Sequence, residues 1–465
     1  MSAIDLSAPQ KIHLIGAGGS GMNAIGVVLA EMGHRVSGSD LKDSSGIARL
    51  RAHGAEISIG HAAENLGRVD AVARSTAVPE DNPEVLAARE GSVPVLRRAE
   101  ILSAICEQKR TVAVAGTHGK TTTSSMLSLA LVGAELHPSF IIGGDLNEIG
   151  SGAVWDNGGD LFVVEADESD GTFLELGAEA VVVTNVEADH LDHYGSMEAI
   201  EDAFRRFAEA APGPRVICVD DAGAARLAAE LDRCTTYGTA EGADLRISDL
   251  RGERYGISFD VTWRGTALGG CDLPIPGAHN ALNAAAALTT ALEFGADVEK
   301  AMAALGRFAG VARRFEYRGE SDGVAYVDDY AHLPTEVNAA IAAARAGEWG
   351  RVVAVFQPHR YSRTAELWAD FADAFVHADH VVLTGIYPAG EPARPGITGE
   401  LILRAVLDAH PWASVAYLPT RDDLGTYLAT HLRRGDLCLT MGAGDLTSLP
   451  DELLSRGEHA DGAVA

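Results

Sequence analysis

Short apolar runs that end in glycine-rich or charged clusters recur along the chain, each followed by residues with the apolar spacing of a helix. Lys11-Ile12-His13-Leu14-Ile15 leads into Gly16-Ala17-Gly18-Gly19-Ser20-Gly21-Met22, and an apolar helix is expected from Asn23 to Met32. Arg35 to Asp40 predicts a second strand ending in an acid, with further strands at Ala71-Val72-Ala73 and Pro94-Val95-Leu96. Thr111 to Ala115 precedes Gly116-Thr117-His118-Gly119-Lys120-Thr121-Thr122-Thr123. Leu161 to Val164 precedes Glu165-Ala166-Asp167-Glu168-Ser169-Asp170, and Ala180 to Val183 precedes Thr184-Asn185-Val186-Glu187-Ala188-Asp189-His190. Farther on, Ala325-Tyr326-Val327, Arg351 to Phe356, His380 to Leu383 and Leu437 to Met441 each end in a polar cluster. Strand and helix in strict alternation predict an α/β protein with parallel, doubly wound sheets, whose ligands lie beyond the carboxyl ends of the strands. The clusters after Ala115, Val164 and Val183 should therefore converge.

Composition sets bounds on this picture. A chain of 465 residues exceeds one ordinary core, so two or three domains are expected. The formal charge of -29 disfavours a general nucleic-acid or anionic-membrane surface, because both partners would be repelled. Phosphate sites must then use local cations, and lysine is scarce: Lys11, Lys42, Lys109, Lys120 and Lys300 are the whole set. The five cysteines lack metal or disulfide spacing. Met1 to Gln10 has no basic and apolar leader pattern, and no apolar run approaches the ~18 residues of a spanning helix. A cytoplasmic protein is expected.

The loop at Gly116 to Thr123 has the form of a triphosphate cradle. Its backbone N–H groups and helix start face phosphate, Lys120 reaches the outer phosphates, and Thr121 is placed to hold Mg²⁺. The general G-x-x-x-x-G-K-[ST] pattern would need its first glycine at Val114, where it is missing. Mg²⁺ takes a few oxygen ligands and keeps waters, so Glu165, first after its strand, is the leading carboxylate candidate. His190 is a second-metal candidate, but spacing alone favours an ordinary loop histidine there and at His193. The glycines at 16 to 21 and Asp40 form a dinucleotide-type layout that fits a dehydrogenase or a nucleotide-sugar binder. Arg97-Arg98, where strand becomes helix, faces the same ligand or is simply a solvated helix start. His279 and Asn283 share a helical face, with Asn280 beside them, a set suited to a flat base edge. Arg360 and Arg363 at a strand end suit a carboxylate or phosphate clamp. The tail from Ser455 is expected to fray.

Taken together, G-A-G-G-S-G-M with S-G-S-D, then G-T-H-G-K-T-T-T, E-A-D-E-S-D, T-N-V-E-A-D-H-L-D and H-N-A-L-N-A, then R-R-F-E, D-D-Y-A-H-L-P-T-E, F-Q-P-H-R-Y-S-R-T and M-G-A-G-D, resemble the Mur ligase family of peptidoglycan synthesis over nearly the whole chain. The resemblance implies three domains: a Rossmann-like UDP-sugar domain (1–109), a central P-loop ATPase-like domain (110–313), and a Rossmann-like C-terminal domain (314–465) that closes on ATP and the amino acid. It implies ATP-dependent joining of L-alanine to the carboxylate of UDP-N-acetylmuramate through an acyl phosphate, with Mg²⁺. Gly18, Gly19, Ser20, Gly21 and Met22 would lie along the diphosphate, and Asp40 and His61 toward the uridine. Gly116, Thr117, His118, Gly119, Lys120, Thr121 and Thr122 would bind ATP, His279 and Asn283 its adenine, and Arg314 and Asp329 would reach the nucleotide. Thr121, Glu165 and His190 would hold metal, and His359, Arg360 and Arg363 would serve the amino acid and the muramyl carboxylate. Lys120, His190, Arg360 and Arg363 would be catalytic. No lysine lies between Lys120 and Lys300, which excludes the carbamylated lysine some relatives use in this central region. Leu333 stands where close relatives carry a second histidine.

Three other readings fit part of the sequence. A nicotinamide dehydrogenase explains the first region but neither the Lys120 loop nor E-A-D-E-S-D. A regulatory P-loop ATPase or binding module predicts nucleotide hydrolysis or binding without an amide product. A related ligase that recycles a peptide or adds a later residue is the nearest alternative.

Overall fold

The computed structural model describes residues 4–146 and 148–461. Its strands form three sheets. The chain divides into two compact units, one of Met1–Ser248, Asp260–Cys271 and Leu282–Phe308, the other of Asp249–Phe259, Asp272–Ala281 and Ala309–Ala465. Among the described residues no helix is long and apolar enough to cross a membrane.

The first sheet has five parallel strands in the spatial order Glu56–Ile59, Arg35–Asp40, Lys11–Ile15, Ala71–Arg74, Val95–Arg97. The order reverses direction at Lys11–Ile15, so a crevice opens beyond Ile15 and Arg74, where doubly wound sheets bind ligands. The helix after the first strand spans Ser20–Glu31, three residues earlier than the apolar spacing predicts. The cause is local: the Asn23 N–H already donates to the Gly19 carbonyl at 2.8 Å, so the glycine loop itself forms the first turn.

The ten-stranded sheet carries the Lys120 loop. Its parallel centre runs Arg215–Cys218, Ala180–Val183, Arg110–Ala115, Leu161–Glu165. Register pairs Val183 with Ala115 and Glu165 with Val114, so the polar clusters that follow these strands lie side by side, as expected. The pattern did not reveal the strands Thr235–Gly238, Leu245–Gly252, Ile257–Trp263 and Thr266–Leu273, nor the hairpin Ser139–Leu146 with Ser151–Val154. Most of these outer strands alternate buried and open positions or carry glycine and charge, and Ser139–Leu146 follows its short buried run Phe140-Ile141-Ile142 with Gly143-Gly144, so none has the uninterrupted signature of the centre.

Within the first unit the two sheets are tied by polar contacts. Arg49 donates to both oxygens of Asp145 at 2.8 and 2.5 Å, Arg97 to Glu175 at 2.8 Å, and Ser103 Oγ to the Glu175 carbonyl at 2.8 Å. The partly exposed ion pairs are worth at most about 1 kcal/mol each, so they set orientation more than stability.

The second unit is built on a six-stranded sheet ordered Glu316–Ser321, Val324–Asp329, Asp436–Met441, Arg351–Phe356, His380–Thr384, Val415–Leu418, parallel except for its first strand. Apolar clusters cover it, one containing Phe356, Phe371 and Phe375, the other Tyr326, Leu424 and Leu428. The tail expected to fray from Ser455 continues as helix to Asp461, and its last four residues lie outside the described ones.

Asp221 joins packing to the site. Its Oδ1 accepts from Ala224 N–H at 2.7 Å, capping the helix Ala222–Glu230, and from Val186 N–H at 3.0 Å in the cluster after Val183. A Cβ on Gly223 would lie 2.1 Å from the Val186 carbonyl oxygen. Gly223→Ala is therefore expected to cost about 1–3 kcal/mol, read as a lower urea midpoint at unchanged m-value. An unchanged midpoint would mean that this segment moves aside freely.

Candidate nucleotide and phosphate sites

Gly116 and Gly119 both have positive φ, 139° and 77°, and the helix Lys120–Gly133 starts directly after Gly119. Nothing larger than glycine fits at the first position: a Cβ there would sit 2.0 Å from Thr184 Oγ1. The strand end after Val183 grips the loop. Thr184 Oγ1 donates to the His118 carbonyl at 2.5 Å, Asn185 Oδ1 accepts from His118 N–H at 2.7 Å, and Thr117 Oγ1 accepts from Glu187 N–H at 2.9 Å. His118 Nε2 lies 3.2 Å from Glu187 Oε2.

Lys120 Nζ donates to the carbonyls of Gly116 and Thr117 at 2.7 and 3.2 Å and to Glu168 Oε1 at 2.8 Å. Burial opposes its charge, but Glu168, with Glu165 and Asp167 behind it, holds the ammonium above its ordinary range. Burial drives the Glu168 carboxyl up to about 7 against the pull of Lys120, and its Oε2 has no hydrogen-bond partner among the described residues.

Thr121 and Glu165 approach one point. A Cβ on Gly143 would lie 2.9 Å from Thr121 Oγ1 and 2.4 Å from Glu165 Oε2, and Gly143 N–H donates to that same carboxylate oxygen at 2.9 Å. A hydroxyl and a carboxylate around a cradle with no side chain in it form an oxygen donor set suited to Mg²⁺. His190, in the left-handed region at φ 56°, pairs with Asp189 at 3.2 Å. Among the described residues no three His, Cys, Asp or Glu side chains form a metal-binding group.

Asn283 Oδ1 accepts from Thr123 Oγ1 at 3.1 Å and lies 2.6 Å from where a Gly119 Cβ would stand, so it braces the glycine loop before Lys120. Asn280, expected beside it, turns away: its Nδ2 donates to the Pro276 carbonyl at 2.7 Å. His279 is half-buried, and burial with Arg314 nearby lowers it to about 4, so the ring is neutral near pH 7.

The glycine loop of the first sheet opens on a cleft of about 640 Å³ lined by Gly16, Gly18, Gly19, Asp40, His61 and Asn82, among others. Asp40 Oδ2 accepts from Gly18 N–H at 2.8 Å, which fixes the loop against the acid. The Arg97-Arg98 pair divides its roles. Arg97 is committed to Glu175, whereas Arg98 lies against the glycine loop, 3.3 Å from where a Gly21 Cβ would stand. Beneath His61 lies Glu84, fully buried and surrounded by donors.

In the second unit Asp329 accepts from Phe315 N–H at 2.8 Å and Ala331 N–H at 2.7 Å, and burial pushes its carboxyl up to about 6 despite Arg314. Arg313 and Arg314 pack on Tyr330, 4.8 and 5.1 Å from its ring centre. Arg363 donates to His359 Nδ1 at 3.1 Å; burial, with His332 and the arginines adding, lowers His359 to about 4. Arg360 adopts φ 68°, a conformation disfavoured for a side chain with Cβ, and its N–H donates to the Tyr387 carbonyl at 2.8 Å. Leu333 is buried.

Glu168, Asn185 and Glu84 were not singled out from sequence. The first two sit inside the strand-end motifs, so the place of Glu168 beside Lys120 and of Asn185 against His118 was within reach. Glu84 follows Asn82-Pro83, a helix-start pattern with no chemical signal.

Family profiles cover most of the chain: "Mur ligase family, catalytic domain" over residues 11–110, "Mur ligase middle domain" over 114–291, and "Mur ligase, glutamate ligase domain" over 313–444. The UDP-N-acetylmuramate–L-alanine ligase of Saccharopolyspora erythraea is 48% identical, the match covering 100% of this chain and 96% of that protein. The crystal structure of the UDP-N-acetylmuramate-alanine ligase of Thermotoga maritima matches with a TM-score of 0.80 at 28% identity, over 97% of this chain and 100% of that one. The MurF ligase of Thermotoga maritima, solved in complex with ADP, shares the fold with a TM-score of 0.62 at 18% identity, over 92% of this chain and 96% of that one. With its three regions matched in order by the family profiles, and with relatives aligned along nearly all its length, the chain belongs to the Mur ligase family.

Proposed function

We propose that this protein joins L-alanine to the carboxylate of UDP-N-acetylmuramate, consuming ATP, as a step of peptidoglycan precursor synthesis in the cytoplasm. The observation that carries the reading is Lys120, held among the Gly116 and Thr117 carbonyls and Glu168 at the start of the loop helix, in a chain whose full-length relatives carry that ligase name. Three domains, 1–109, 110–313 and 314–465, divide the work: sugar nucleotide on the first, ATP on the second, amino acid on the third.

Gly18, Gly19, Ser20, Gly21 and Met22 bind the diphosphate, with Asp40 and His61 toward the uridine; the glycine-lined cleft supports this. Gly116, Thr117, His118, Gly119, Lys120, Thr121 and Thr122 cradle the triphosphate, with His279, Asn283, Arg314 and Asp329 serving the rest of the nucleotide. Thr121, Glu165 and His190 hold Mg²⁺, which when bound neutralises charge on the triphosphate. The substrate carboxylate attacks the γ-phosphorus and ADP leaves, giving an acyl phosphate. The alanine amine then attacks the acyl carbon, and the tetrahedral intermediate expels phosphate. Lys120 supplies fixed positive charge where negative charge spreads over the transferring phosphoryl oxygens. His359, Arg360 and Arg363 hold carboxylate charge on the amino-acid side.

Lys120→Ala is expected to lower ligation by about 100-fold or more while calorimetry still detects UDP-N-acetylmuramate binding. Loss of both together would contradict the separation of sugar nucleotide and ATP sites. Gly143→Ala places a methyl against the Glu165 carboxylate and is expected to raise the Mg²⁺ concentration for half-maximal ligation by about tenfold, roughly one lost charge-assisted contact. An unaltered Mg²⁺ dependence would remove Glu165 from the metal site.

A further inference from the structure

Glu84 has no solvent exposure, yet four donors meet its carboxylate. Oε1 accepts from Ala62 N–H at 3.1 Å and Asn65 Nδ2 at 2.7 Å; Oε2 accepts from Ser39 Oγ at 2.5 Å and His13 Nε2 at 3.2 Å. Burial acts to raise its pKa, and the hydrogen bonds from His13, Ser39, Asn65 and Ala62 outweigh it, bringing the group to about 2. Asn65 Nδ2 also donates to the Gly60 carbonyl at 2.9 Å, so this one carboxylate fixes the chain on both sides of His61.

Proton counting then assigns the His61 ring. An ionised carboxylate only accepts, so the single hydroxyl proton of Ser39 is committed to Glu84. Ser39 Oγ also lies 2.9 Å from His61 Nδ1, and with its own proton used it must accept there. Nδ1 of the neutral ring therefore carries the hydrogen, and Nε2 is left as an acceptor. Nε2 has no hydrogen bond to any described residue and is not among the buried atoms that lack one, and His61 lines the cleft.

We propose that Glu84, acting through Ser39, holds His61 as the Nδ1–H tautomer so that Nε2 accepts the N3–H of a uracil base, and that this chain of protons selects uridine over cytidine nucleotides. Uracil N3 carries a hydrogen, whereas cytosine N3 carries a lone pair that would face the lone pair of Nε2. The inference rests on the reading of this cleft as the sugar-nucleotide site. Glu84 and Ser39 are positioning residues; His61 is the one that meets the base.

The test is calorimetric titration of the full-length protein, wild type, Glu84→Gln and Ser39→Ala, with UDP, CDP and 3-methyl-UDP. Wild type should prefer UDP over both others by about tenfold or more, the worth of one hydrogen bond exchanged for a repulsive contact. In Glu84→Gln the amide N–H₂ donates to Ser39, whose proton turns to His61 Nδ1 and shifts the ring hydrogen to Nε2. UDP should then weaken about tenfold and the UDP-to-CDP ratio should fall toward one. Ser39→Ala leaves three donors on Glu84 and removes the acceptor of the Nδ1 hydrogen, with Glu84 Oε2 at 3.8 Å beyond hydrogen-bond reach, so its ratio should fall as well; this variant decides if Glu84→Gln does not fold. Equal weakening of UDP and CDP, with the ratio kept, would assign Glu84 and Ser39 a purely structural role and overturn the proposal, as would a wild type indifferent between the two bases. Wild type that binds none of the three would instead refute the sugar-nucleotide reading of the cleft.

Discussion

A largely buried ammonium group must be surrounded by oxygens, and the environment of Lys120 is what the central region is built to provide. Two of those oxygens are carbonyls of its own loop, made available because Gly116 and Gly119 adopt positive-φ conformations that residues with a Cβ rarely take. The third belongs to Glu168, carried there by the strand Leu161–Glu165. Thr184 and Asn185, beyond the strand Ala180–Val183, clamp the loop from the other side, so three parallel strands must end in register for one lysine to be placed. The same register brings Glu165 toward Thr121. Lys120 and the Thr121–Glu165 oxygen pair thus share one scaffold, and their positions are set by the packing of the sheet.

The first sheet solves a related problem with opposite sign. Glu84 is a buried anion, and its four donors make it the fixed point for the turn that carries His61. In both places a buried charge is stable only because neighbouring segments supply complementary groups, and those segments are the ones that line the ligand clefts. In the second unit Asp329 and His359 are likewise held by hydrogen bonds at strand ends and displaced from their ordinary pKa by burial, which leaves the His359 imidazole neutral near pH 7 rather than charged.

Much of this was legible in the sequence. Short continuous apolar runs such as Val112 to Ala115 and Val181 to Val183, rich in valine and bounded by polar or glycine clusters, read as buried parallel strands, and those clusters mark the carboxyl edge of the sheet. The outer strands from Thr235 to Leu273 were not legible, because half-exposed strands mix charge, glycine and threonine and resemble loops. Individual partners were harder still. Asn283 and Asn280 look equivalent at the start of one helix, yet one faces the phosphate loop and the other closes its own turn, a difference of side-chain direction that spacing does not encode. Glu84 carried no signal because its importance lies in four partners distant in sequence.

The bond that is made is read most directly from the product. Incubating the protein with ATP, Mg²⁺, UDP-N-acetylmuramate and single amino acids, and weighing the nucleotide-sugar product by mass spectrometry, tests it directly. A mass gain of one alanine residue is expected, dependent on ATP and on the sugar nucleotide. ATP hydrolysis with no gain in mass, or ligation only when a preformed peptide is supplied, would contradict it.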